Sequence, residues 1–162
     1  MAAVLASILE GVGLVNDLRQ LGPSTQKQAQ KQREAVVRLL RDIYFTPRGS
    51  RQVLEVLARG EAPSPEDIEI FLPDFNDREW MVLRHIDRTL FESEDFVHIG
   101  LRNRRVLEMI GYGKKNLRRD IQSLLNETLT KRRPVPAEEA QNILERVNEL
   151  NRSIEDLERE FL

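Results

Sequence analysis

Residues 1–21 read MAAVLASILEGVGLVNDLRQL, and how this stretch is covered decides the fold. The first fifteen residues carry one charge, Glu10, and apolar side chains fall on nearly every side of the helix they would form. A helix without a clear polar face must be covered by other helices or by lipid. The side chains that would pack into a core or meet a membrane are Val4, Leu5, Ile8, Leu9, Val12, Leu14, Val15 and Leu18. Gly11 and Gly13 sit mid-helix, where each costs about 1 kcal/mol relative to alanine but lets a neighbour approach closely. Gly22-Pro23 ends the helix: glycine suits the position after the last turn, and proline cannot extend the ladder.

The rest of the chain offers helices able to do the covering. Residues 25–45 open with the spacing of a capping box, Thr25 and Gln28, and a polar run, QKQAQKQRE. They then place Val36, Leu39, Leu40 and Ile43 on one face. Thr46-Pro47 reads as a fresh N-cap with proline at the first helical position, and Val53, Leu54 and Leu57 point inward before Gly60. GEAPSP is a linker. Ser64-Pro65-Glu66-Asp67 starts another helix, its acids favourably placed at the positive end of the dipole. Further starts at Asn76/Glu79 and at Ser93-Glu94-Asp95 precede apolar residues at helical spacing, Trp80, Leu83, Ile86 and Leu90, then Phe96, Ile99, Val106 and Ile110. After a break at Gly111-Tyr112-Gly113, residues 114–133 put Leu117, Ile121, Leu124, Leu125 and Thr128 on one side.

Pro134-Val135-Pro136 is a stiff stop. Beyond it, residues 137–162 hold the most regular periodicity in the chain. Ala140, Val147, Ile154 and Phe161 take the a positions of a heptad, and Ile143, Leu150 and Leu157 the d positions. Ile143, Val147, Leu150, Ile154, Leu157 and Phe161 form a candidate seam for self-association. The flanking e and g positions, among them Arg146, Asn151, Ser153, Glu158 and Glu160, are poor in complementary pairs. No strand pattern or internal repeat stands out. The expected class is all-α, one compact domain over residues 1–162 with six to eight helices, a largely buried first helix and a heptad-patterned last one.

Composition narrows the function classes. In a chain of 162 residues, 40% hydrophobic and 32% charged content is too apolar for disorder and too polar for an integral membrane protein. The absence of cysteine excludes disulfides and thiolate chemistry. The longest apolar run falls short of the roughly 20 residues that span a bilayer, and no basic segment precedes it as in a secretory signal. The expected location is cytoplasmic. His85 and His98 stand in no zinc spacing, and the acids Glu66, Asp67, Glu69, Asp74, Asp77 and Glu79 fall at helix starts and turns. Gly111-Tyr112-Gly113 lacks the glycine count and preceding strand of a phosphate loop. No nucleophile motif appears, so neither enzyme activity nor a cofactor, metal or small-molecule substrate is expected.

The net charge of −2 hides four blocks: residues 1–59 sum to +4, 60–101 to −8, 102–133 to +7 and 134–162 to −5. Such blocks either neutralise one another inside the bundle or leave a face for an anionic partner. The candidate face is Arg102, Arg104 and Arg105 with Lys115, Arg119, Gln122, Asn126 and Arg133. Its interleaved amides and few acids suit phosphate contacts; with no helix-turn-helix or aromatic platform nearby, an acidic protein surface or anionic lipid head groups fit better than nucleic acid.

MAAVLASILEGVGLV ahead of a charged helical bundle resembles the arrangement of HeLo-type and mixed-lineage-kinase-like killer domains. The resemblance covers that stretch and the helix order alone and carries over no functional residue. It implies a membrane-perturbing effector whose first helix enters lipid. The residues themselves point first to a non-enzymatic interaction or assembly module acting through helix surfaces, with a protein partner or a second copy. A nucleic-acid binder using the basic face is the third reading.

Overall fold

A computed structural model of the chain describes residues 1–20, 25, 27–67, 117–131, 133 and 135–162. They form α1 (Ala2–Gln20), α2 (Lys27–Tyr44), α3 (Arg48–Ala58), α4 (Leu117–Lys131) and α5 (Ala137–Phe161). No strand occurs among the described residues, and the architecture is all-α. The expected helices starting at Asn76 and Ser93, the break at 111–113 and both histidines lie outside the described residues.

The long helix α5 is the axis, with α1, α2 and α3 packed on it; α4 closes on α1 and α2. Its buried residues are Ala140, Ile143, Leu144, Val147, Leu150, Asn151, Ile154 and Leu157. In heptad terms these are the a, d and e positions. A stripe three positions wide fits a helix surrounded by several neighbours, whereas a two-stranded coil needs only a and d. Two of the unpaired-looking flanking acids find partners inside the bundle. Arg41 of α2 makes an ion pair with Glu158 and lies 4.1 Å above the Phe45 ring. Arg19 of α1 approaches Glu160 at 3.8 Å. The basic first block and the acidic last block therefore meet across helix contacts, although exposed pairs of this kind contribute at most about 1 kcal/mol each.

The polar opening of α2 is not exposed throughout. Lys27, Gln30 and Lys31 are exposed, but Arg33 is buried, its guanidinium 5.2 Å over the Phe161 ring. The arginine stem covers apolar surface at the end of α5 while its head stacks on an aromatic face.

The α2–α3 corner departs from the sequence reading. α3 begins one residue later, its N-cap is Pro47 at φ −62° and ψ 162°, and no side chain caps it. Thr46 is not the cap because its backbone is committed elsewhere. Its N–H donates to Asn151 Oδ1 at 2.9 Å, and Asn151 Nδ2 donates to its carbonyl at 2.9 Å. Both residues are buried, so one amide side chain satisfies the two corner groups that would otherwise be orphaned away from water.

α3 ends as its sequence requires. Gly60 takes φ +74°, donating to the Leu57 carbonyl at 2.9 Å while the Glu61 N–H reaches the Val56 carbonyl at 3.2 Å. This paired Schellman closure needs a left-handed residue, which glycine supplies without steric cost. Residues 64–67 then form a reciprocal capping box. The Asp67 N–H donates to Ser64 Oγ at 3.1 Å, and the Ser64 N–H donates back to Asp67 Oδ2 at 2.9 Å.

Candidate interaction surface

α1 is sealed on one side only. Val4, Ser7, Ile8, Gly11, Leu14, Val15 and Leu18 are buried, recurring every three to four residues toward α5, α2 and α4. The five large apolar side chains of this group are nearly without solvent contact. At about 1.5–3 kcal/mol each, their burial contributes on the order of 10 kcal/mol. This is a gross figure, offset in part by the conformational entropy of ordering the helix, and it makes exposing the inner side of α1 costly.

Gly11 is what brings α1 in so close. A Cβ built at this position would stand 2.9 Å from Leu150 Cδ2, 2.9 Å from Tyr44 Cδ1 and 3.2 Å from Tyr44 Cγ. The helix backbone itself therefore rests on the Tyr44 ring and the Leu150 methyl group. Below it, Ser7 Oγ donates to Asp120 Oδ2 of α4 at 2.5 Å. The Tyr44 hydroxyl is enclosed with no hydrogen-bond partner among the described residues. Burial first, then the negative charges of Glu10 and Asp120, push this phenol well above its ordinary pKa. It is a neutral, unfilled hydroxyl inside the core.

The opposite side of α1 faces outward. Leu9 is 61% exposed and Val12 37%; Ala2, Ala3 and Ala6 are exposed, and Leu5 and Gly13 half-buried. By the 100° rotation per residue, Ala2, Leu5, Ala6, Leu9, Val12 and Gly13 form one uncharged strip, with Glu10 at its edge. The eight side chains singled out as a membrane or core set thus divide. Val4, Ile8, Leu14, Val15 and Leu18 are core, Leu5 is intermediate, and Leu9 and Val12 are surface.

The other candidate sites fare differently. Ile143, Val147, Leu150, Ile154 and Leu157 are fully enclosed by the chain's own helices, and Phe161 is half-buried. A contact between copies through this seam would have to open the bundle. Of the basic face, Arg119 and Asn126 are exposed on α4, Gln122 is half-buried and Arg133 is exposed beyond its end. Arg102, Arg104, Arg105 and Lys115 lie outside the described residues. Arg118, on the same helix, turns inward and donates to the Phe45 carbonyl at 3.2 Å.

Sequence reasoning missed the outer side of α3. Arg48, Arg51, Gln52, Glu55 and Arg59 line a groove there together with Glu61, Ser64 and Asp67. The available signal was an arginine pair three residues apart directly after Thr46-Pro47. Among the described residues, no group of His, Cys, Asp and Glu side chains could hold a metal ion, and no helix is long and apolar enough to cross a membrane. No known family model, curated protein or solved structure matches the chain.

Proposed function

We propose that the chain is a non-enzymatic assembly module of the cytoplasm. In this reading residues 1–162 are one domain of six to eight helices that joins a second copy of itself through the outward strip of α1. The observation that supports it is the exposure of Leu9 and Val12, 61% and 37%, on a helix whose other side is locked into the core. Single exposed leucines are ordinary. Here the leucine stands in an uncharged strip with small residues, Ala2, Ala6 and Gly13, on either side. Small neighbours let two helix backbones approach, and a strip centred on one large side chain is complementary to its own copy across a two-fold axis. Lacking charge, it offers nothing that would select an acidic or basic partner. The strip has six residues, few beside the roughly 20–30 that each partner contributes to a standard interface, so a weak association is expected, with a Kd between about micromolar and millimolar.

Sedimentation velocity of the full chain over that concentration range tests the reading. The wild type should form a reversible dimer, and Leu9→Glu should sediment as a monomer with an unchanged thermal melt. Glu149→Lys, an exposed change on α5, should dimerise like the wild type. A wild type that stays monomeric throughout, or a Leu9→Glu variant that dimerises equally well, refutes it.

A further inference from the structure

We infer that the groove along the outer side of α3 binds a phosphate monoester, gripped by Arg48 and Arg51. The groove has a volume of about 720 Å³, which falls in the size range of small-molecule sites and exceeds what a lone phosphate fills. Arg48 and Arg51 are three residues apart, on one face of the first turn of α3. Side chains on a helix lean toward its N-terminus, which inclines both toward the end where the helix dipole is positive.

The Arg51 Nε is enclosed and has no hydrogen-bond partner among the described residues. A guanidinium does not lose its proton, so this donor remains charged and unfilled in the free protein. Orphans of this kind are rare in native structures, and a turn of the half-buried Arg51 side chain toward the groove would bring this enclosed donor to an incoming oxyanion.

The groove's own carboxylates do not supply that acceptor. Glu61 is held in a two-point contact by Arg59, Nε to Oε1 and Nη2 to Oε2, both at 3.2 Å. Asp67 accepts from the Ser64 N–H and hydroxyl at 2.9 and 2.8 Å and from Gln52 Nε2 at 3.3 Å. Only Glu55, exposed and one turn beyond Arg51, stands outside these contacts. Three arginines face three acids in the lining, yet two of the acids and Arg59 are occupied with one another or with a cap. The guanidinium forks of Arg48 and Arg51 remain in the lining. They present more donors than a carboxylate has oxygens, and they suit the three oxygens of a phosphate monoester. The remaining length of the groove, with Gln52, Val56 and Ala62 along it, accommodates the organic part.

Side-chain Nε–Hε magnetic resonance of the full chain, recorded at constant ionic strength, tests the assignment with inorganic phosphate, glycerol phosphate and acetate as probes. The Arg51 signal should shift saturably with inorganic phosphate, at lower concentration with glycerol phosphate, and little with acetate. Arg51→Gln should weaken glycerol phosphate binding roughly tenfold or more, the loss expected for a charge-assisted contact. Arg48→Gln, an exposed change, should weaken it without altering the thermal melt. A shift that grows linearly without saturating, acetate binding as tightly as phosphate, or full affinity in both variants would overturn the assignment. Inorganic phosphate binding more tightly than glycerol phosphate would overturn the part concerning the organic body.

Discussion

Gly11→Ala is the sharpest probe of how α1 is held. Two opposing effects act at this position. Alanine is the better helix former by about 1 kcal/mol in a helix interior. The added methyl group, however, would lie 2.9 Å from both Leu150 Cδ2 and Tyr44 Cδ1, closer than carbon atoms tolerate. Neither neighbour can retreat easily: both are fully buried, and the tyrosine ring is rigid. Overpacking of this kind costs about 1–3 kcal/mol, and two simultaneous clashes place the cost toward the upper end. The net expectation is a loss of about 1–2 kcal/mol, or a fall in Tm of several degrees for a chain of this size. Gly13→Ala, two residues along and only half-buried, receives the same propensity benefit without entering the α2 and α5 contact. It should be neutral or gain up to about 1 kcal/mol. Urea denaturation followed by circular dichroism measures both. If Gly11→Ala is as stable as Gly13→Ala, α1 does not lie against Tyr44 and Leu150, and the account of its buried side is wrong.

Other perturbations follow from the same contacts. Asn151→Leu strands the buried N–H and carbonyl of Thr46; at about 1–3 kcal/mol for each orphaned group, denaturant midpoints should fall substantially with the m-value unchanged. Tyr44→Phe removes a hydroxyl with no partner and should leave stability equal or raise it by up to about 1 kcal/mol, in contrast to the usual cost of deleting a buried polar group. In the folded chain the Tyr44 phenol should also stay un-ionised through the alkaline range where exposed tyrosines titrate, as ultraviolet difference spectroscopy would report. The hydrogen bonds from Ser64, first backbone and then hydroxyl, hold the Asp67 carboxyl below its ordinary pKa. A depressed folded pKa adds stability above the unfolded value, near 3.9, that is lost as pH falls through the folded one. The melting temperature of Asp67→Asn should thus decline less steeply than that of the wild type on acidification below about pH 4.

The contrast between α5 and α1 shows what the sequence can and cannot reveal. In α5, apolar residues at a and d are separated by charges, so the buried stripe could be read from spacing alone; only its extension to Leu144 and Asn151 required the neighbours. In α1, apolar residues occupy both sides, and spacing cannot choose between them. Leu9 and Ile8 are chemically near-equivalent and adjacent, yet one is 61% exposed and the other 2%. Gly11, whose bare backbone meets Tyr44 and Leu150, favours one side over the other, and a glycine in a sequence does not announce its partner. The Thr46 corner was missed for a related reason. A Thr-Pro pair has the local chemistry of a cap, and nothing nearby signals that an asparagine 105 positions away claims its backbone. The α3 groove is a product of the turn at Gly60, which folds Glu61, Ser64 and Asp67 back beside the arginines of the preceding helix.

The Asn151 clamp also bears on sliding. A heptad-patterned rod fits its neighbours almost as well after a shift of one turn or one repeat, because each displacement exchanges one aliphatic group for another. At the Thr46 corner those displacements are not equivalent. A four-residue shift would present Val147 or Glu155, and a seven-residue shift Leu144 or Glu158. None of these both gives and receives a hydrogen bond as the amide does. One polar residue thereby acts as a detent, stopping the rod at a single setting along its axis.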